Sequence, residues 1–244
     1  QAMTGSGGWP MTVFLTPEGK PFYGGTYFPP EDRRGMPGLP KILTAISAAY
    51  QQNRSEVANT TKQLMDQCIQ FSTSVPSREP LNENIMDVSY TNLYKQFDTT
   101  YGGIGMQPKF PQPMTYEFLL RHYVQTGDQK SLNMVELTLE KMANGGIYDQ
   151  LGGGFHRYST DIYWLGPHFE KMLYDNALLV RLYLHAYQIT RKEKYKTVVE
   201  ETLNYVTREM TDSNGGFHSA QDADSDGVEG QFFVWRPDEI IKIL

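Results

Sequence analysis

Apolar residues recur at helical spacing over most of the chain, and the stretches between them are polar and rich in glycine. The first part is the exception. Met11 to Thr16 is a short β-branched and aromatic run, Thr16-Pro17-Glu18-Gly19-Lys20 puts proline and glycine where a turn needs them, and Phe22 to Phe28 reads as the returning strand. Thr4 to Gly8 reads as a flexible polar loop and Trp9-Pro10 as a stiff dipeptide. An isolated hairpin is marginal in water, so this one is expected to pack on a partner that precedes residue 1. After a proline- and glycine-rich connection, Pro29 to Pro40, the positions Leu39, Ile42, Leu43, Ile46 and Tyr50 predict an amphipathic helix, a more polar helix follows over Ser55 to Phe71, and Ser74 to Pro80 reads as a linker.

From Leu81 on, the period predicts helices over Met114 to Gln125, Ser131 to Ala143, His168 to Thr190 and Tyr195 to Met210. The one from His168 carries apolar residues around most of its circumference, which predicts an inner helix covered on both sides. Phe232 to Trp235 suggests a short strand, and Pro237 opens a last helix that the sequence cuts off. Glycine-aromatic loops recur at Tyr101-Gly102-Gly103, Gly152-Gly153-Gly154-Phe155-His156 and Gly215-Gly216-Phe217-His218, roughly fifty to sixty residues apart, so each repeat is one helical hairpin that must stack on its neighbours. The expected fold is mainly α, with two domains, 1–73 and 81–244.

Composition narrows the function classes. The chain has 244 residues, enough for a sizeable core, and a formal charge of -6, which argues against a nucleic-acid partner because that affinity comes from clustered Lys and Arg. No apolar run nears the roughly 20 residues that cross a bilayer, so neither a membrane span nor a signal segment is expected. The single cysteine, Cys68, has no partner for an intrachain disulfide, which leans toward the cytoplasm but also fits a secreted protein without disulfides. Aromatics are 13% of residues, and many of them flank loop glycines; such rings suit a sugar's mixed C–H and O–H surface, or else pack loops onto helix ends.

Three constellations carry candidate chemistry. In Trp164-Leu165-Gly166-Pro167-His168-Phe169-Glu170-Lys171-Met172-Leu173-Tyr174-Asp175, a helix opened by Pro167 places His168, Lys171 and Asp175 on one side. They form either a ligand site with His168 as acid or base, or a capping network in which Lys171 neutralises Asp175. In Gln221-Asp222-Ala223-Asp224-Ser225-Asp226-Gly227-Val228-Glu229 the carboxylates are catalytic or substrate-binding, or simply solvated, or a calcium loop. An EF-hand is disfavoured because its twelfth position, which needs Glu, is Phe233. In Tyr148 to Tyr158, three glycines permit close backbone approach, and His156 and Arg157 either bind an anionic or hydroxyl group or only pack the turn. The glycine spacing is not that of a dinucleotide-binding loop.

These motifs, with Gly7-Gly8-Trp9-Pro10 and Gly24-Gly25-Thr26-Tyr27-Phe28-Pro29-Pro30, closely resemble the thioredoxin-domain-containing family that includes spermatogenesis-associated protein 20. The resemblance covers essentially the whole chain. It implies an N-terminal thioredoxin-like domain joined to an α/α toroid similar to six-hairpin glycosidases and N-acylglucosamine epimerases. By that resemblance residues 1–73 are the C-terminal remnant of the thioredoxin-like domain with a linker helix, 81–244 hold about half of the toroid's hairpins, and Pro10 is the cis-proline that faces redox cysteines. The Cys-x-x-Cys segment lies outside this sequence, so no thiol redox activity is expected of it.

The expectation is therefore a protein resembling sugar-active toroid enzymes of hydrolase or epimerase type, binding a saccharide or similar polar small molecule. The alternative is a redox or chaperone-type protein with the toroid as a docking platform. The candidate catalytic residues are His168, Asp175, Asp222 and Asp224; the candidate substrate-binding residues are His156, Arg157, Trp164, Glu170, Lys171, His218 and Gln221. No cofactor or metal is expected, and the sequence names no protein partner.

Overall fold

The computed structural model describes residues 7–8, 11–33, 35–73, 82 and 84–244. Trp9-Pro10, most of the Thr4 to Gly8 loop and the Ser74 to Pro80 linker, all singled out above, lie outside the described residues. The chain divides into two compact units, Gln1–Pro80 and Leu81–Leu244.

Unit 1 contains the antiparallel strands β1 (Thr12–Leu15) and β2 (Pro21–Gly25) and the helices α1 (Leu39–Gln52) and α2 (Arg54–Ser72). The turn closes as its residues dictate: Gly19 has φ +76° and its N–H donates to the Thr16 carbonyl at 2.9 Å. The returning strand is shorter than expected. It stops at Gly25 because the Phe28 ring folds back onto it, 2.6 Å from where a Cβ would stand. Phe22 stacks on Tyr50 with ring centroids 5.6 Å apart, tying sheet to helix above a small core of Ile42, Val57 and Leu64.

Unit 2 contains α3 (Asn84–Gln96), α4 (Pro113–Thr126), α5 (Gln129–Asn144), then the two-residue strands β3 (Tyr158–Ser159), β4 (Pro167–His168) and β5 (Lys171–Met172). After them come α6 (Leu173–Thr190), α7 (Glu193–Glu209), the strands β6 (Ala220–Gln221), β7 (Asp224–Ser225) and β8 (Val228–Glu229), and α8 (Pro237–Ile243). Connections alternate in length. Gly127 and Asp128 alone join α4 to α5, with Gly127 left-handed at φ +74° and the Asp128 carboxylate capping α5 through the N–H groups of Lys130 and Ser131. Arg191 and Lys192 alone join α6 to α7. The segments 97–112, 145–172 and 210–236 are long. All three therefore gather at the end where α4 and α6 begin.

The helices α4 and α6 run parallel and pack on each other, with α5 against α4 and α7 against α6. Tyr116, Leu119, Val135, Leu139, Met142, Leu179, Leu182, Tyr183 and Tyr195 fill the space between them, all fully buried, and the Tyr183 hydroxyl donates to the Leu139 carbonyl at 2.8 Å. The inner helix α6 is covered on these two sides, while Tyr174, Ala177, Arg181, Leu184 and Gln188 form an exposed stripe.

Two expectations fail here. The helix expected from His168 begins only at Leu173, because β4 pairs with β3 and β5 pairs with β6, holding residues 167–168 and 171–172 extended. His168, Lys171 and Asp175 thus do not share a helical face. Phe232 to Trp235 is not a strand: the Phe233 and Val234 N–H groups both donate to the Gly230 carbonyl, forming a turn.

Candidate functional site

The three long loops open with the same turn. Asp98, Asp149 and Asp212 each accept, on Oδ1, two backbone N–H groups from residues just ahead: Thr100 and Tyr101, Leu151 and Gly152, Asn214 and Gly216. Each aspartate's own carbonyl accepts the N–H of a left-handed glycine, Gly102, Gly153 or Gly215, at 2.8 to 3.0 Å. Beneath the first two turns lies a lysine that is 1% exposed. Lys109 Nζ donates to Asp98 at 2.6 Å and the Gly102 carbonyl at 2.7 Å; Lys171 Nζ donates to Asp149 at 2.7 Å and the Gly153 carbonyl at 2.9 Å. Burial opposes ionisation of Asp149, but the Lys171 ammonium and the two N–H groups together outweigh it and hold its pKa below the usual carboxylate value.

Two candidate binding residues are thereby taken out of the open site. Lys171 is a buried clamp whose partner is Asp149, not Asp175, since the β5 strand turns its side chain toward the second turn. Trp164, fully buried with φ +67°, donates its indole N–H to the Tyr101 carbonyl at 2.9 Å and presses against Gly103 and Gly145, so it staples the first loop to the second.

The remaining polar groups form a connected cluster on the second loop and the start of α6. Arg157 pairs with Glu170 at 2.6 Å. Glu170 lies 3.9 Å from Nε2 of His168, whose Nδ1 bonds Glu229 at 2.6 Å. His168 stacks on Tyr158 with centroids 5.0 Å apart, and Tyr158 in turn meets the half-exposed ring of Phe110 at 4.8 Å. Asp175 is buried in the first turn of α6, and among the described residues no hydrogen bond ends on its carboxylate. Burial pushes its pKa up to about 6; the nearby Arg157 charge works against that shift and Glu170 with it. His156 is 2% exposed, and its Nδ1 shares a hydrogen bond with the Phe169 carbonyl at 2.9 Å. Burial first, then the Lys171 charge, lowers its pKa to about 4, so the ring is neutral at physiological pH and Nδ1 is the donor.

The acidic segment is a hairpin. Asp224 pairs with Glu229 and Ser225 with Val228 around a two-residue turn, Asp226 at φ +53° and Gly227 at φ +78°. The Asp-Gly that suggested a calcium loop is thus a turn signal, and among the described residues no group of three or more His, Cys, Asp or Glu is arranged to hold a metal. Asp222 and Asp224 are exposed, and Asp222 accepts the Asp224 N–H at 3.1 Å; Asp224 meets Glu229 only through the backbone pairing of the hairpin, and neither aspartate's carboxylate joins the Asp175 cluster by a hydrogen bond or ion pair among the described residues. Gln221 accepts the Tyr205 hydroxyl at 2.7 Å and pairs across from Lys171, and His218 lies exposed on the third loop. What sequence reasoning missed is Glu229, Tyr158 and the Asp-Lys clamps. The repeated aspartate just ahead of each glycine turn was the available signal for the clamps; only the Asp-Gly hairpin turn hinted that Glu229 would be carried back.

Residues 1–69 match a family model named Thioredox_DsbH and described as "Protein of unknown function, DUF255". Spermatogenesis-associated protein 20 of Homo sapiens is 40% identical over 257 residues, a match that takes in 100% of this chain and 33% of that protein. The Rattus norvegicus protein of the same name is 41% identical over 257 residues, with the same coverage of 100% and 33%. The chain is similar to spermatogenesis-associated protein 20 along its whole length. It spans about a third of the length of these curated relatives. Among solved structures, a sugar epimerase from a ruminal bacterium superposes with TM-score 0.50 at 14% identity, over 57% of this chain and 41% of that one. Cellobiose 2-epimerase from Bacillus thermoamylovorans gives TM-score 0.50 at 11% identity, over 57% and 40%. At such identities the likeness is one of fold. The fold is mainly α, a partial α/α toroid preceded in sequence by the segment that matches the Thioredox_DsbH model. Among the described residues no helix is long and apolar enough to cross a membrane.

Proposed function

We propose that the loop face of unit 2 binds a saccharide or similarly hydroxylated small molecule and moves a proton on it, with Asp175 and His168 as the exchanging groups. One observation carries this reading: a buried carboxyl with no hydrogen-bond partner among the described residues, its pKa raised to about 6, at the mouth of an inner helix of a toroid whose fold neighbours include sugar epimerases. The start of a helix favours a charged carboxylate, so an acid left unpartnered there and still shifted upward is poised to take and return protons near neutral pH. Arg157 and Glu170 orient a polar ligand, and the Phe110–Tyr158 rings offer an apolar ledge beside His168. Epimerisation, in which a proton leaves and re-enters a carbon beside a carbonyl, uses this pair of groups more directly than hydrolysis, which calls for two carboxylates flanking the glycosidic bond.

The test is a thermal-shift screen against mono- and disaccharides, uronic acids and amino sugars, followed by NMR of any hit in D2O. Deuterium entering the sugar carbon beside the carbonyl is expected, and its loss in Asp175→Asn and His168→Gln with the fold intact. A hit that both variants bind and exchange as the parent does would sink the proposal, and so would a folded protein that no compound stabilises.

A second reading, a redox or chaperone-type role with unit 2 as a docking platform, draws on the family-model match over residues 1–69. The one cysteine of this sequence, Cys68, is exposed on α2 and has no second thiol within the sequence. Disulfide reduction in a longer protein with a Cys-x-x-Cys ahead of residue 1 would support it; an inert longer protein would remove it.

A further inference from the structure

We propose that Glu229 is a positioning residue for His168: its carboxylate accepts the Nδ1–H of the imidazole and so leaves Nε2 as the basic nitrogen of the site. The contact is 2.6 Å and spans 61 residues of sequence. Which nitrogen of a histidine is protonated follows from the hydrogen bond that the other one makes, and an ionised carboxylate can only accept. Among the described residues the other charged and titratable neighbours leave Nε2 unclaimed. Glu170 is 3.9 Å from it, beyond hydrogen-bond range, and is already committed to Arg157 at 2.6 Å; Tyr158 meets the ring face at 5.0 Å; and the neutral His156 spends its own Nδ1–H on the Phe169 carbonyl.

The backbone around Glu229 is built to hold this contact. On one side, the left-handed Asp226 and Gly227 close the β7–β8 turn and set the register that places Glu229 opposite Asp224. On the other, Gly230 has φ +74°, and the Phe169 ring lies 2.5 Å from where its Cβ would be, so only glycine lets the chain lie against Phe169 there. Phe169 is itself stacked on Phe233 with centroids 5.7 Å apart and rings 11° from parallel. The Glu229 side chain is 49% exposed, so burial does not explain its pairing with His168; the geometry of the hairpin does.

The proposal rests on the reading of His168 as an acid–base group, but its test does not. Long-range ¹⁵N–¹H NMR of the whole chain resolves the five imidazoles, and His168→Gln assigns the signal of interest. The parent is expected to show His168 as the Nδ1–H tautomer. Glu229→Ala is expected to shift it toward Nε2–H, through loss of the acceptor at hydrogen-bond distance from Nδ1. Glu229→Gln should keep the tautomer, since its amide oxygen still accepts. An Nε2–H tautomer in the parent, or a tautomer unmoved in Glu229→Ala, overturns the proposal. Should the tautomer behave as expected while no saccharide binds, the functional reading falls and the positioning role stands.

Discussion

Asp175 and His156 are both buried beside the same loop, and burial acts on them with opposite consequences for pH. The folded pKa of Asp175, about 6, lies above its unfolded value, so the folded state binds the extra proton between roughly pH 4 and 6 and stability falls as pH rises through that window. The folded pKa of His156, about 4, lies below its unfolded value, so the unfolded state binds the extra proton between roughly pH 4 and 6.5 and stability rises with pH there. At 1.36 kcal/mol per pKa unit each contribution is roughly 3 kcal/mol, and the two nearly cancel. Denaturant melts at stepped pH are expected to expose them one at a time. Asp175→Asn should be more stable than the parent at pH 7.5 and equal to it near pH 4, even as any sugar chemistry is lost. His156→Phe should remove the acid-side loss. Equal stability of Asp175→Asn and parent at both pH values would mean that the carboxyl is solvated.

The turn with a lysine beneath it is the element that fixes the loop face. Removing one partner of a buried pair leaves an uncompensated charge, so Lys171→Ala is expected to cost about 3–5 kcal/mol, whereas Lys171→Met with Asp149→Asn together should recover part of the loss. Urea titration of the parent and the two variants checks this. Gly154, at φ +80° with the Tyr205 ring 2.4 Å from where a Cβ would stand, leaves no room at all; Gly154→Ala is expected to destabilise by at least about 1 kcal/mol and to displace Tyr205, the partner of Gln221. The third turn, at Asp212, is exposed, and none of the lysine hydrogen bonds or ion pairs among the described residues reaches it. Hydrogen exchange should therefore be faster at Gly215 and Gly216 than at Gly102 and Gly153; equal protection would show that the lysine is not what holds the turn.

At the scale of the whole molecule, unit 2 has its own continuous core, built from α4 to α7, and unit 1 has a separate small one. Residues 81–244 on their own are expected to melt cooperatively and to keep the aromatic near-UV signal of Trp164, a property that circular dichroism reads directly. A loss of cooperativity on separation would mean that the domain division proposed from sequence, 1–73 and 81–244, does not mark an independent folding unit.

Much of this was legible in the chain itself, because local physics decides it. Helical periodicity gave α1, α2, α4, α5 and α7 to within a few residues, the Pro-Gly turn gave the first hairpin, and the spacing of the glycine-aromatic loops gave the stacked hairpins. The long motifs gave the resemblance that the comparisons support. What the sequence misjudged were contacts between residues distant along it. Lys171 was read either as part of a ligand site or as the neutraliser of Asp175, four residues away, when its partner Asp149 is 22 residues back; Trp164 was counted as a ligand surface when it is a staple; and Glu229 was read only as one carboxylate of the acidic segment, although it reaches His168. For Lys171 and Glu229 a two-residue strand pairing sets the direction of the side chain, and for Trp164 a single left-handed residue does; such features leave no periodic signal because they are shorter than any period. Helices and turns follow from neighbours in sequence, whereas the protonation states and partners of the candidate site follow from neighbours in space, which only the folded chain brings together.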